Sequence, residues 1–356
     1  MFLKQIALKN FRNYEAVDLS FEHPGSLIVG PNGSGKTNLL EAIAYCGIGK
    51  SVRFHRDEDL LRYDSPFFAV AATFSPDKGY DLKLQLSYAD KVKLLKLDDA
   101  PLRQLSRLID LVKVIYSAPE DLMLVSGTPR FRRQYFDLAV AQLAPDYIPV
   151  LRNYLHVVHQ RNALLKGEFE PTEKAVWDER FIHSLQAVLG YRHRYLKMLN
   201  AAFKDQYRSI SEKTRDITVS YLPALREDYP SAVEDLRKIL VSIEPRERKM
   251  QRSLIGAHLD DYEFKLLGRG LKTYGSQGQK RIAVIVLKLI QATLIEEHTR
   301  IKPIMLFDDI FAELDLPHTK RIRELVDQRY QIFIASPKPD IAKIWDDLPL
   351  MNMESL

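Results

Sequence analysis

The chain holds a single cysteine, Cys46, in 356 residues, so no internal disulfide can form and no cysteine-rich metal site exists. No apolar run approaches the ~18–20 residues that span a bilayer. The opening Met1-Phe2-Leu3-Lys4-Gln5 lacks the charged-then-apolar order of a secretory signal. Internal repeats, low-complexity tracts and long heptad runs are also missing, which removes the sequence basis for a solenoid, a linker or a coiled-coil rod. These absences predict a soluble, cytoplasmic protein with no membrane partner. The remaining composition is that of a folded domain, 46% hydrophobic and 28% charged. Fifty-two Lys and Arg against 47 Asp and Glu leave a net charge of +5, a mild pointer to an acidic partner such as nucleic acid.

Residues 2–8 and 16–21 alternate apolar and polar side chains, as half-buried strands do. Leu27-Ile28-Val29 forms a short apolar strand that runs into a Gly-rich turn, and Leu39, Leu40, Ile43 and Ala44 follow at helical spacing. Strands are expected at 67–74, 81–88 and 91–97. Helical periodicity covers about 129–208, broken by Pro145, Pro149 and the loop Gly167 to Pro171. A strand at Ile217 to Tyr221 precedes two charged helical stretches that reach about residue 253. The chain then alternates: a strand at 262–267, a helix from Gln277 to Glu297, a strand Ile304 to Phe307, a helix near 318–328 and a strand Gln331 to Ala335. This order predicts an α/β nucleotide-binding core built from both chain ends, residues 1–118 and 260–356, around a mostly helical lobe at 119–259.

Gly30-Pro31-Asn32-Gly33-Ser34-Gly35-Lys36-Thr37 fits G-x-x-x-x-G-K-[ST] in full. A polyphosphate needs closely spaced backbone N–H donors, and small residues let the chain wrap that tightly. The helix that follows points its positive end at the phosphates. In this arrangement Lys36 pairs with the β and γ oxygens of ATP, and the Thr37 hydroxyl ligates Mg²⁺.

Two further elements belong with such a loop. Ile304-Met305-Leu306-Phe307-Asp308-Asp309 is an apolar strand that ends in two acids. At the carboxyl end of a central strand, Asp308 is placed to hold Mg²⁺ and Asp309 to orient the attacking water. A turn-forming or capping Asp pair is the alternative. Ser276-Gln277-Gly278-Gln279-Lys280-Arg281 opens a long amphipathic helix about thirty residues earlier. Ser276, Gly278 and Gln279 there form either a second anion site or a plain helix cap.

The order of phosphate loop, S-x-G-Q and apolar strand with acids resembles that of the ABC-type ATPases. That resemblance implies that Ser276 of one chain meets the γ-phosphate held by a second chain, and that Ala312-Glu313-Leu314-Asp315 crosses the same interface. Lys9-Asn10-Phe11-Arg12-Asn13-Tyr14 is similar to the opening of the SMC-like branch, in which Asn10 and Arg12 lie near the nucleotide. Tyr116 to Leu122, Gly127 to Arg133 with Phe136-Asp137, Gln160 to Lys166, Gly256 to Asp261 and Asp308 to Asp315 resemble the RecF family over nearly the whole chain. Ala257 and Leu259 depart from that family's usual G-P-H-R-D-D. Membership implies an ABC-type P-loop ATPase head without a long coiled coil, and slow, DNA-stimulated ATP hydrolysis. It also implies an ATP-dependent homodimer on duplex DNA near single-strand gaps or junctions, with RecR and RecO type mediators as partners. The setting would be DNA damage, replication and the SOS response.

Candidate DNA contacts are Arg130, Arg132, Arg133 and Arg53, with Lys50 and Arg56 nearby, because phosphates require such cations. A solvated or fold-supporting face is the alternative. Tyr191-Arg192-His193-Arg194-Tyr195 offers rings for base stacking, with helical core packing as its rival. An ABC transporter subunit carries a glutamate at the position of Asp309 and a histidine near Ser336, and an SMC-like organiser carries coiled-coil arms. This chain has none of these.

Overall fold

The computed structural model describes residues 1–53, 56–76, 79–211, 216–225, 227–326 and 329–353, with the side chain of Glu313 outside that description. The chain forms two compact units. One comprises Met1–Asp121, Gln206–Lys213 and Val284–Leu356; the other comprises Leu122–Asp205 and Thr214–Ala283.

The first unit opens with β1 (Phe2–Phe11), β2 (Tyr14–Ser20) and β3 (Gly25–Val29), then α1 (Lys36–Ile48). β4 (Phe67–Ser75), β5 (Leu82–Ala89), β6 (Val92–Leu97), β7 (Ala100–Pro101), α2 (Leu105–Leu111) and β8 (Val114–Ser117) follow. Six of these strands form an antiparallel sheet in the order β2-β1-β4-β5-β6-β7. β4 alternates half-buried and buried positions along its length, the signature of a sheet with one face on a core.

The second unit contains α3 (Met123–Ser126), α4 (Pro129–Leu143), α5 (Tyr147–Leu164) and most of α6 (Pro171–Ser211). β9 (Ile217–Leu222), α7 (Val233–Met250), β10 (Asp261–Leu266), β11 (Arg269–Gly270) and α8 (Leu271–Tyr274) complete it, with the start of α9 (Gln277–Thr299). Pro149 does not break the helical run as expected. It is the third residue of α5, in the first turn, where a helix has no use for the missing N–H. One helix, α7, stands where two were expected. It continues through Pro245, and the preceding stretch holds Pro223 and Pro230 instead of a helix. The core is expected to resume at residue 260. In the structure residues 261–283 stay with the helical unit, because β10 pairs with β9 from Asp261↔Leu222 to Leu266↔Ile217.

Back in the first unit, α9 leads to β12 (Ile304–Asp308), α10 (Leu316–Val326), β13 (Ile332–Ser336) and β14 (Leu350–Asn352). These complete a second sheet, ordered β14-β3-β13-β12-β8, in which every pairing is parallel. Strands from both parts of the chain mix in it, β3 and β8 from before residue 118 with β12, β13 and β14 from after residue 300. β3, β12 and β13 are buried at every position, as parallel strands covered on both faces must be. Because all strands run the same way, their carboxyl ends share one edge. The register places Asp308 opposite Ala335, and Ala335 opposite Ile28. Asp308 therefore sits level with the last residues before the phosphate loop.

Candidate nucleotide-binding site

The loop between β3 and α1 turns through positive φ at Gly33 (85°) and Gly35 (103°), conformations that L side chains rarely adopt. At Gly35 a Cβ would also lie 2.7 Å from Asn13 Nδ2 and 2.9 Å from the Tyr14 hydroxyl. Gly35 is the N-cap of α1 and supplies no side-chain cap, so the first backbone N–H groups of the helix are not taken by a cap side chain and can serve an anion. Lys36 is buried, and its Nζ donates to the Gly30 and Pro31 carbonyls at 2.8 Å each. Burial lowers its pKa, against the opposing pull of Asp309 and Asp308. A bound polyphosphate supplies the counter-charge that this ammonium has in short measure.

Asp308 ends β12 with its side chain nearly enclosed. The Thr37 hydroxyl donates to its Oδ1 at 3.0 Å and the Tyr116 hydroxyl donates to its Oδ2 at 2.7 Å. Burial raises its pKa although both hydroxyl bonds oppose the rise. A divalent cation beside it favours the charged form. The Thr37 hydroxyl and this carboxylate are hard oxygen donors in direct contact, a set that fits Mg²⁺. Asp309 has a left-handed backbone (φ 55°), and its N–H donates to the Ala335 carbonyl at 3.0 Å. Ser336 ends the neighbouring strand, its hydroxyl bonded within the turn to Lys338.

The turn between β1 and β2 clasps α1 from outside the parallel sheet. Phe11, fully buried, packs edge-on against Phe68 and tilted against Tyr45 of α1. That anchors Arg12, whose guanidinium donates to both oxygens of the buried Glu41 at 2.9 and 3.1 Å and to the Asp59 carbonyl at 2.8 Å. Asn38 donates to Asn13 at 2.7 Å, and the Tyr14 hydroxyl donates to the Gly35 carbonyl at 3.1 Å. Three consecutive residues thus tie the phosphate-loop helix to the antiparallel sheet. Arg12 is committed to Glu41, a pairing that spacing alone did not reveal.

In the second unit, Ser276 and Gln279 form a reciprocal cap at the start of α9. The Gln279 N–H donates to Ser276 Oγ and the Ser276 N–H donates to Gln279 Oε1, the capping-box arrangement. Ser276 and Gly278 are exposed, so capping leaves this face open. Asp315 caps α10 in turn, accepting from the His318 N–H.

The arginines separate by their partners. Arg130 and Arg53 are exposed. Arg132 is buried, with a two-pronged ion pair to Asp261 at 2.6 and 2.8 Å. Arg133 donates to the Asp260 carbonyl at 2.7 Å, and burial lowers its pKa. Arg132, expected among the phosphate contacts, thus uses its donors inside the fold, and half-buried Arg133 uses at least one there. Arg192 likewise pairs with Asp137 and the Ala257 carbonyl, and Tyr195 is a core ring. Arg192 and Tyr195 of that stretch pack the interior, whereas His193 and Arg194 are exposed. Asp260 accepts from Tyr221, Tyr229 and the Ala224 N–H, so the Gly256–Asp261 motif is a polar hub. Among the described residues, no helix is long and apolar enough to cross a membrane.

The family model described as "RecF/RecN/SMC N terminal domain" matches residues 2–355. DNA replication and repair proteins RecF of Bacillus thuringiensis (strain Al Hakam) and Bacillus cereus (strain B4264) are each 33% identical over 349 residues, covering 96% of this chain and 93% of theirs. The chain belongs to the RecF family. Two solved structures of the recombination mediator protein RecF in the RecFOR pathway, "RecF-ATP" and "RecF-ATPrS", superpose with TM-scores of 0.88 and 0.86 at 28% identity. Each comparison covers 95% of this chain and 93% of the other. An Smc head bound to the C-winged helix domain of ScpA matches at TM-score 0.55 and 16% identity, over 97% of this chain and 92% of that one, and shares the fold alone. The fold is that of the ABC-type ATPase head.

Proposed function

We propose that this RecF-family chain is an ATP-switched DNA-binding protein of recombinational repair and replication restart. ATP binds at residues 30–37, with Lys36 on the β and γ oxygens, Thr37 and Asp308 holding Mg²⁺, and Arg12 beside the nucleotide. Asp309 orients the attacking water. Ser276, Gly278 and Gln279 receive the γ-phosphate of a second copy, so that ATP closes a homodimer. The dimer sits on duplex DNA near a single-strand gap, with exposed Arg130 and Arg53 among its phosphate contacts, and supports recombinase loading with RecR and RecO type mediators. Hydrolysis releases it. An aspartate at 309, one methylene shorter than glutamate, makes that step slow, since misplacement by 1 Å costs on the order of a hundredfold in rate.

The observation that carries this reading is the Thr37–Asp308 bond, which joins the phosphate loop to the acid of the apolar strand across the parallel sheet. The relatives' names and the RecF-ATP structure support it. The test is the mass of the protein in solution with ATP, with ADP, and with ATP plus gapped DNA. The expected result is a dimer with ATP alone, retained on the DNA, and lost in Ser276→Arg while that variant still binds ATP. A monomer under all three conditions contradicts the two-chain mechanism.

A further inference from the structure

We infer that Tyr116 is a positioning residue for the magnesium site, acting through Asp308. The inference rests on the reading above that Asp308 holds Mg²⁺.

β8 is a short strand buried at all four positions, so apolar side chains would satisfy its packing. It carries a phenol instead, and a buried phenol needs a partner for its hydroxyl. The register shows how it finds one. Tyr116 lies opposite Leu306 on β12, and paired residues point to the same face of a sheet. Asp308 is two residues further along β12, so its side chain emerges on that face as well. The ring leans toward the carboxyl edge and its hydroxyl meets Asp308 Oδ2 at 2.7 Å.

The backbone of Tyr116 is itself fixed. Lys288, on α9, donates to the Tyr116 carbonyl at 2.8 Å and pairs with Asp121 at 3.1 Å. Asp308 is thus gripped from both sides, by Thr37 on Oδ1 and Tyr116 on Oδ2. The Tyr116 bond fixes the rotation of the carboxylate and leaves Oδ1 facing the Thr37 hydroxyl, where the two oxygens can serve one cation. Groups that orient a metal ligand in this way typically contribute 10–100-fold to metal affinity when tested by mutation.

The test is Tyr116→Phe, which removes one oxygen and keeps the ring. ATP binding is titrated at a series of Mg²⁺ concentrations in wild type and variant, alongside thermal melting without nucleotide. The expected result is about a tenfold rise in the Mg²⁺ concentration giving half-maximal enhancement of ATP binding. Affinity measured in EDTA is expected to stay unchanged. An unaltered Mg²⁺ requirement, or an equal loss of ATP affinity with and without Mg²⁺, overturns the assignment and leaves Tyr116 as packing. If wild-type ATP binding itself ignores Mg²⁺, the metal reading fails first, and that outcome is visible in the control alone.

Discussion

The helical unit and the candidate nucleotide site use charge in opposite ways. In the helical unit, ionic groups face each other. Arg161 on α5 is fully buried between Asp178 of α6 at 2.8 Å and Glu247 of α7 at 2.5 Å, and Arg192 and Arg132 are likewise held by Asp137 and Asp261. At the nucleotide site, by contrast, Lys36 has backbone carbonyls for partners and Asp308 has hydroxyls. Among the described residues, no ion pair neutralises either. The lesson is that basic residues mark a ligand site by what they are not paired with, and a cluster of arginines in sequence carries little information until its carboxylates are located.

The largest expected effect lies in the helical unit. Arg161→Ala leaves the buried Glu247 without its cation, while Asp178 keeps Lys174 at 2.6 Å, and the expected cost is about 3–5 kcal/mol in denaturant unfolding. A loss under about 1 kcal/mol would show that water reaches this network and that the contrast is overdrawn.

Acid should act next. Burial, aided by Arg133, Arg161 and Arg192, lowers the His258 pKa from 6.5 to about 4. The unfolded chain therefore binds this proton first, between about pH 6.5 and 4. Stability contributed by neutral His258 is present above that window and lost as pH falls through it, by at most roughly 3 kcal/mol. His258→Gln should flatten that part of the stability–pH curve. An identical slope in the variant assigns the acid sensitivity to other groups.

Arg132 and Arg130 sharpen the contrast within a single helix. Arg132→Ala should destabilise by about 2–4 kcal/mol and Arg130→Ala by under about 0.5 kcal/mol. Only the second should change the salt dependence of DNA binding directly, with the slope of log affinity against log salt shrinking by about 0.9 for one phosphate contact. An unchanged slope in Arg130→Ala moves the DNA surface elsewhere. The smallest effect is that of the cap: Ser276→Ala should cost about 1 kcal/mol of stability. The same variant weakens ATP-driven dimerisation only if Ser276 also meets the second chain's nucleotide.

Much of the parallel-sheet unit is legible in the sequence because its chemistry is local. A phosphate loop needs small residues, a lysine and a hydroxyl within eight positions, and a buried parallel strand must be apolar until its final acid. Long-range pairings are not legible. Arg132 finds Asp261 across 129 residues, so spacing alone offered Arg132 to DNA. Tyr116 finds Asp308 across 192, so a residue at the end of a short apolar strand carried no visible role. Pro149 misled for a different reason: proline interrupts helix interiors but fits the first turn, and which turn it occupies depends on where α5 starts.

The central claim, that ATP binds at the carboxyl edge of the parallel sheet with Lys36 as the loop's side-chain cation, is tested most directly by equilibrium titration of ATP into wild type and Lys36→Ala in the presence of Mg²⁺. The account predicts one ATP per chain in wild type. Lys36→Ala should bind on the order of a hundredfold more weakly, as expected for removing charge-assisted bonds to phosphate, with a melting temperature within a few degrees of wild type. Equal ATP affinity in the two proteins would contradict it.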